Sequence, residues 1–374
     1  MMRIPFNIPC VWGDEQKYLE KVISNRKFSG RGEFCKKCAT LIGKITLAKK
    51  VFMTSSCTAA LEMCAIILHL QPGDEIIMPS FTYIASSNPF VRNGAKIVWC
   101  DIRKDMKNID NNQLEKLITK KTKAVVIVHY GGFSCEMDEI TAICKKHNIL
   151  LIEDAAMALG TKYKDKPLGS FGDFAVISFH ETKNIQCGEG GALLVNNPDM
   201  IEEATYLYDK GTNRGEFEKG ESDNYTWISS SSNFLMSELQ AAFLYTQLLH
   251  LTEITHERLN NWNLYYELLS RFLPSDSLAP TSSHIQSNAH IFYIMLSNSN
   301  ERKLLIQYLE KRGIQTVFHY IPLHSAPFWQ GKYSETQLPV TDKVSQTILR
   351  LPLFFGFIPD YITEIVHHVR QFLT

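Results

Sequence analysis

The sequence predicts an α/β fold, in which a mostly parallel sheet is covered by helices on both faces and followed by a smaller α+β unit. Two observations carry this. From about residue 50, short Val- and Ile-rich runs alternate with stretches whose apolar residues recur every three or four positions. Strict strand–helix alternation implies crossover units, hence parallel strands with both faces buried. In the last third the order changes, and strand-like runs such as "AHIFYIML" mix with helical runs such as "ERKLLIQYLEKRG". The chain therefore reads as a large unit over residues 1–248, with an N-terminal arm, and a small unit over 249–374.

Element by element, "KKVFMTS" predicts a strand and "CTAALEMCAIILHL" a helix. "DEIIMP" predicts a strand, "TYIASSNPFVRNG" mostly helix, "AKIVWCDI" a strand and "NNQLEKLIT" a helix. "KAVVIVHY" (strand), "EMDEITAICKKHN" (helix) and "ILLIEDAA" (strand) follow. Two strand runs, "FAVISFH" and "ALLVNN", then flank a glycine-rich turn. "DMIEEATYLYDKG" reads as a helix, and "TNRGEFEKGESDNYTWISSSS" as an irregular stretch of the sort that is functional or disordered, its aromatics Phe217, Tyr225 and Trp227 arguing against disorder. A long helical region runs from "LMSELQAAFLYTQLLHL" to "LYYELLSRFL", and "QTVFHYIPLH" reads as a strand near the end.

Lys+Arg and Asp+Glu both number 39, so no global basic field steers the chain to nucleic acid or to an anionic membrane. No apolar run reaches transmembrane length, and the N-terminus lacks a signal-peptide pattern, so a cytoplasmic location is expected. Nine scattered cysteines fit reduced thiols. Cys35 and Cys38 form a C-x-x-C without a second ligand pair, inside an expected helix. No metal site is expected.

In open parallel sheets, ligands bind beyond the carboxyl ends of the strands. Thr54, Ser55, Ser56, Thr58, Ser80, Tyr83, His129, Tyr130, Glu153, Asp154, Ser178, His180 and Lys183 fall there. "TSSCTAAL" puts hydroxyls at a helix start, where free N–H groups favour an anion. From this segment alone a plain helix cap is the better reading. Asp154 closes an apolar run, as a surface turn or as the partner of a protonated heterocycle nitrogen. Lys183 follows the next strand, and a lysine partly withdrawn from water becomes nucleophilic. A lysine for a carbonyl, an aspartate for a ring nitrogen and a helix N-terminus for a phosphate are the parts a pyridoxal phosphate site needs.

The motifs "IPFN", "QPGDEIIMPSFTY", "IEDAA", "SFHETKN", "GEGGALL", "LMSELQAA", "VFHYIPLH" and "RLPLF" together resemble the DegT/DnrJ/EryC1/StrS aminotransferases, nearly end to end. The resemblance implies fold type I of the pyridoxal-phosphate enzymes. It implies pyridoxal 5'-phosphate as cofactor, with pyridoxamine 5'-phosphate as its amino-carrying form. By this resemblance Lys183 bonds the cofactor aldehyde, Asp154 partners the pyridine nitrogen and Tyr83 stacks on the ring. Thr58 and Ser178, with Ser56 and the backbone at Cys57, match the phosphate site. Asn233 matches an asparagine that reaches the phosphate of a neighbouring subunit, which implies a homodimer with shared sites. Gly30, Tyr320 and His324 are expected near the substrate.

Two departures stand out. Met157 occupies a position where the family usually has Gln or His beside the cofactor's phenolic oxygen, and Cys57 stands where Gly is common. Within the family the motifs are most similar to members that use L-glutamate to aminate dTDP-4-keto-6-deoxy-D-glucose, giving dTDP-4-amino-4,6-dideoxygalactose for surface polysaccharide. A 3-aminotransferase, another nucleotide-sugar specificity and a non-catalytic binding protein are the alternatives. Related dehydratases carry His in place of the lysine, so Lys183 argues against that class.

Overall fold

The computed structural model describes residues 3–329 and 336–374. After the arm come helices α1 (Glu15–Asn25) and α2 (Glu33–Thr46). The alternating region follows as β1 (Lys50–Thr54), α3 (Cys57–Ile67), β2 (Glu75–Pro79), α4 (Asn88–Arg92) and β3 (Lys96–Cys100). It continues through α5 (Asn111–Leu117), β4 (Thr122–Val128), α6 (Met137–His147) and β5 (Leu150–Asp154). Two-residue strands β6 (Lys162–Tyr163) and β7 (Lys166–Pro167) precede β8 (Phe174–Ser178) and β9 (Gly191–Val195). Then come α7 (Ile201–Tyr208), α8 (Arg214–Lys219), α9 (Glu238–Leu249) and α10 (Leu251–Leu269). The chain ends with β10 (Ile285–Gln286), β11 (Phe292–Met295), α11 (Ser299–Glu310), α12 (Pro339–Thr347), β12 (Ile348–Leu351) and α13 (Pro359–Leu373).

The central sheet has seven strands in the order β1-β9-β8-β5-β4-β2-β3. Only β9 runs against the rest, pairing antiparallel with β1 and β8. Alternating side chains feed two faces, as the pleat requires. Ile76, Met78, Val126, Ile152 and Val176 pack with α3 on one face. On the other, Ile77, Val125, Ile127 and Leu151 meet α6, while Ala175, Ile177 and Leu194 meet α2 and α9. The apolar runs are continuous because both faces are buried. Cys35 and Cys38 lie inside α2, buried, their thiols directed at the carbonyls of Met236 and Ala241.

A separate core joins α10, α11 and α13 to the antiparallel pair β11–β12. It also takes in Phe81, Tyr130 and Phe133 from the large sheet's loops, and Ile4 from the arm. Ile4 bridges Ile314, tying the N-terminal arm to the C-terminal layer.

Two expectations are corrected. "QTVFHYIPLH" is not a strand: it makes a single bridge, Val317 to Arg350, and then turns into a 3₁₀ segment at Leu323–Ser325. Pro322 lacks the N–H a ladder needs, and the segment leaves the sheet so that the Leu323 N–H can bond the Ser80 carbonyl. The polar stretch after residue 210 is not irregular throughout, since α8 lies within it and ends on Gly220 in the left-handed region.

Candidate active site

The parallel strands end at a cavity of about 600 Å³. Ser56, Cys57, Thr58, Tyr83, Asp154, Met157, Ser178, Lys183 and Tyr320 all line it. Nine residues chosen from separate stretches of sequence therefore meet in one place. β5 and β8 are adjacent and parallel, with Asp154 level with Val176, and this brings the carboxylate and the lysine to the same edge.

Asp154 is buried. Its Oδ2 accepts from the Ser86 hydroxyl at 2.6 Å, and its Oδ1 accepts from the Ala156 N–H at 3.2 Å. Ser86 has one proton and gives it to the carboxylate, so the Thr82 hydroxyl, 2.8 Å away, donates to Ser86. The preceding residue, Glu153, points to the opposite face and is wholly buried. Its Oε1 accepts from the N–H groups of Phe171 and Gly172, both at 2.7 Å. Its Oε2 accepts from Gly169 N–H at 2.9 Å and faces His129 Nε2 at 3.0 Å. Burial alone would raise the Glu153 pKa, but His129 and the backbone donors outweigh it and hold the pKa below its usual value. His129 Nδ1 accepts from the Cys135 N–H, so its proton sits on Nε2 and points at Glu153.

Lys183 follows β8 on a turn in which its N–H bonds the His180 carbonyl at 2.9 Å. Burial lowers its pKa; Cys57 and Asp154 oppose that shift, Arg350 adds to it, and the amine ends below the usual lysine value. The glycines behind it serve the return path. Gly188 sits at φ +78°, in the left-handed region that favours glycine. At Gly191 a Cβ would lie 2.4 Å from the Cys57 nitrogen and the Ser56 carbonyl carbon. Only glycine lets β9 pass so close to the first turn of α3.

That first turn is capped by Ser56, whose hydroxyl accepts from Ala59 N–H at 3.0 Å. Among the described residues the amides of Cys57 and Thr58 have no partner. Two unspent N–H groups at a helix N-terminus, beside the hydroxyls of Thr58 and Ser178, suit a phosphate. The carboxylate, the depressed amine and this cradle fit pyridoxal phosphate. Tyr83, 61% exposed in the single chain, forms the outer wall. Met157 lines the cavity without a donor, and its carbonyl is held by Asn288 Nδ2 at 2.8 Å.

Three expected residues lie outside the lining. Gly30 packs where a Cβ would meet the Met236 carbonyl oxygen at 2.5 Å. Asn233 is exposed and bridges Asp209. His324 receives the Ser80 hydroxyl at Nδ1, 2.7 Å, and its N–H donates back to the same oxygen at 3.0 Å. The cavity also contains residues that sequence reasoning did not single out: Ser86, His290, His319 and Arg350, with Phe6 and Asn7 from the arm. Several sit inside motifs noted above, but nothing in the sequence places them against Lys183.

The DegT/DnrJ/EryC1/StrS aminotransferase family profile matches residues 9–370. The chain is 29% identical to a GDP-perosamine synthase of Vibrio cholerae, covering 99% of each chain. It is 30% identical to the spore coat polysaccharide biosynthesis protein SpsC of Bacillus subtilis, covering 98% of this chain and 96% of that one. The solved pyridoxamine-phosphate form of a sugar aminotransferase described as putative, Spr1654 of Streptococcus pneumoniae, superposes with a TM-score of 0.92 at 26% identity, covering 99% of each. With the cofactor-shaped cavity already described, these likenesses establish that the chain belongs to the DegT/DnrJ/EryC1/StrS aminotransferase family and is a pyridoxal-phosphate-dependent sugar aminotransferase.

Proposed function

We propose that the enzyme transfers the amino group of L-glutamate to dTDP-4-keto-6-deoxy-D-glucose, giving dTDP-4-amino-4,6-dideoxygalactose for surface polysaccharide. The observation that carries the amino-transfer half of this reading is the meeting of Lys183 and Asp154 at neighbouring strand ends of one cavity. The sugar assignment rests on the motif resemblance. The likeness to a GDP-perosamine synthase supports a second reading, in which the nucleotide is guanine-based.

Pyridoxal phosphate, when bound, supplies an aldehyde that takes up the amino group and a protonated ring that accepts electron density. Asp154, oriented by Ser86 and Ala156, would keep the ring nitrogen protonated. Lys183, its proton affinity lowered by burial, would hold the aldehyde and then move the proton at the donor's Cα. Cys57 and Thr58 amides, with the Thr58 and Ser178 hydroxyls, would bind the phosphate, and Tyr83 would cover the ring. Met157 would pack beside the phenolic oxygen without a hydrogen bond. Tyr320, in the cavity wall, is assigned to the sugar side, and Gly30 and His324, which lie outside the lining, are assigned there on the motif resemblance alone.

We assign the working form to a homodimer with shared sites. Asn233 is exposed and follows the segment 209–228, which displays Phe217, Tyr225, Trp227 and Ile228. The partner's copy of Asn233 would reach the phosphate. The test is a product assay: the enzyme with L-glutamate and dTDP-4-keto-6-deoxy-D-glucose, read by NMR of the sugar. The galacto-configured 4-amine supports the reading. Turnover only with a GDP-linked keto sugar, or amination at C3, would replace it.

A further inference from the structure

Two arginines lie near this cavity, Arg258 buried and Arg350 half-buried, and they differ in how their guanidinium groups are spent. Arg258 spends its guanidinium on carbonyl oxygens: Ala289 at 3.1 Å, His290 at 2.7 Å and Leu353 at 3.2 Å. It is a structural brace. Arg350, on β12, lines the cavity itself. Its Nη1 donates to His319 Nε2, and its guanidinium lies 4.7 Å from the centre of the Phe6 ring. Its Nε is buried and has no hydrogen-bond partner among the described residues. Among the described residues no carboxylate pairs with it, and only the phenols of Tyr130 and Tyr320 weigh against its burial.

The partner of Arg350 is as unusual. Arginine is always a donor, so His319 accepts at Nε2 and carries its proton on Nδ1. That Nδ1 is also buried without a hydrogen-bond partner among the described residues. Burial, Arg350 and Lys183 all push the His319 pKa well below its usual value, so this imidazole is neutral and supplies no counter-charge. It is fixed instead by stacking on Tyr320, with ring centres 4.0 Å apart and planes 9° apart. The wall of the reaction cavity thus contains a guanidinium with no carboxylate partner among the described residues, backed by two buried N–H groups that find no acceptor there. Leaving such a charge unpaired is costly unless an anionic ligand completes it.

We propose that Arg350, braced by His319, binds the α-carboxylate of the amino donor. The inference rests on the aminotransferase reading above and specifies which substrate meets which wall. An anion is required, and the cofactor's phosphate already has its cradle at the start of α3. In an amino acid the carboxylate sits on the carbon that bears the reacting amine. In a nucleotide sugar the diphosphate lies across the ring from a C4 ketone. Arg350 is near enough to Lys183 for its charge to lower the lysine's proton affinity. A cation that close to the reacting centre suits the carboxylate and not the diphosphate. The carboxylate would satisfy the guanidinium in a paired geometry that lysine cannot copy.

The test separates the two half-reactions of the holoenzyme in Arg350→Gln and Arg350→Lys. Single-turnover conversion of the cofactor by L-glutamate reports the donor half. Amination of the keto sugar by enzyme preloaded with pyridoxamine phosphate reports the sugar half. Calorimetric titration with glutarate, which cannot react, reports carboxylate binding without turnover. In Arg350→Gln the apparent affinity for L-glutamate falls by about 10- to 100-fold, the range for a lost charge-assisted hydrogen bond. Glutarate binding weakens in parallel, and the sugar half stays within about threefold of wild type. Arg350→Lys, which keeps the charge, recovers part of the loss. An unchanged donor half, or a loss equal to or larger in the sugar half, would overturn the proposal. If the wild type converts its cofactor with L-glutamate but aminates no dTDP-sugar, the sugar assignment fails while the Arg350 proposal is still decided by the donor half.

Discussion

Replacing Glu153 by Gln tests whether the buried carboxylate under Asp154 is a structural keystone. The change keeps size and shape and removes only charge and acceptor symmetry. Four donors converge on this carboxylate, two on each oxygen: Phe171 and Gly172 on Oε1, Gly169 and His129 on Oε2. An amide has one acceptor oxygen. Whichever way it is turned, its NH₂ group faces two N–H donors. His129 cannot relieve this by moving its proton, because Nδ1 is needed by the Cys135 N–H. Each orphaned donor costs about 1–3 kcal/mol, so the variant loses roughly 2–6 kcal/mol. With an unfolding entropy of about 2.1 cal/mol/K per residue, a chain of 374 residues should show a Tm lower by roughly 3–8 °C. The assay is thermal melting at fixed protein and cofactor concentration. The pH sign follows from the depressed folded pKa of Glu153. Its contribution is present above the unfolded value of about 4.3 and is lost as pH falls through the folded pKa. The gap between wild type and variant is therefore full near neutrality and closes in acid. A Tm within about 1 °C of wild type at pH 7, or a gap that widens in acid, would refute the reasoning.

Three further outcomes follow from the site. Gly191→Ala drives a Cβ into the first turn of α3, and equilibrium dialysis should show cofactor affinity reduced by about tenfold or more, an estimate set by the 1–3 kcal/mol typical of overpacking. Ser86→Ala removes the hydroxyl proton held by Asp154 and the acceptor used by Thr82; kcat should fall by roughly tenfold, as for loss of one hydrogen bond to a charged group, and the melting temperature should fall by roughly 2–4 °C. Cofactor capture by the empty enzyme needs the neutral form of Lys183, whose pKa is lowered chiefly by burial. The capture rate should rise with pH and level off at an apparent pKa below the ordinary lysine value of about 10.4; a midpoint at or above that value would contradict the burial argument.

That Lys183 and Asp154 would meet in one cavity was legible in the sequence, because both follow apolar strand runs and parallel topology then dictates where the strand ends lie. The hydroxyls at the start of α3 were legible for the same reason, since Ser56 is the cap its position suggested. Glu153 was visible only as a polar residue beside Asp154. Its importance comes from the 169–172 turn folding over it, which no local pattern encodes. Ser86 sits in a 3₁₀ turn, and what aims it at Asp154 is tertiary placement. Arg350 and His319 are 31 residues apart, and one lies in a run that reads as a strand yet forms only one bridge. Their pairing depends on how the C-terminal layer closes over the large sheet. The proline that ends that run was the available sign that it would leave the ladder.

The account's central claim, that Lys183 carries the cofactor and passes amino groups through it, is tested most directly by borohydride reduction and peptide mass mapping. The enzyme is reduced with pyridoxal phosphate bound, again after L-glutamate, and again after the keto sugar is added. The account predicts a pyridoxyl-phosphate mass on the peptide containing Lys183, absent after L-glutamate and restored by the sugar, with no such adduct in Lys183→Ala. An adduct on a different lysine, or one that L-glutamate leaves in place, would contradict it.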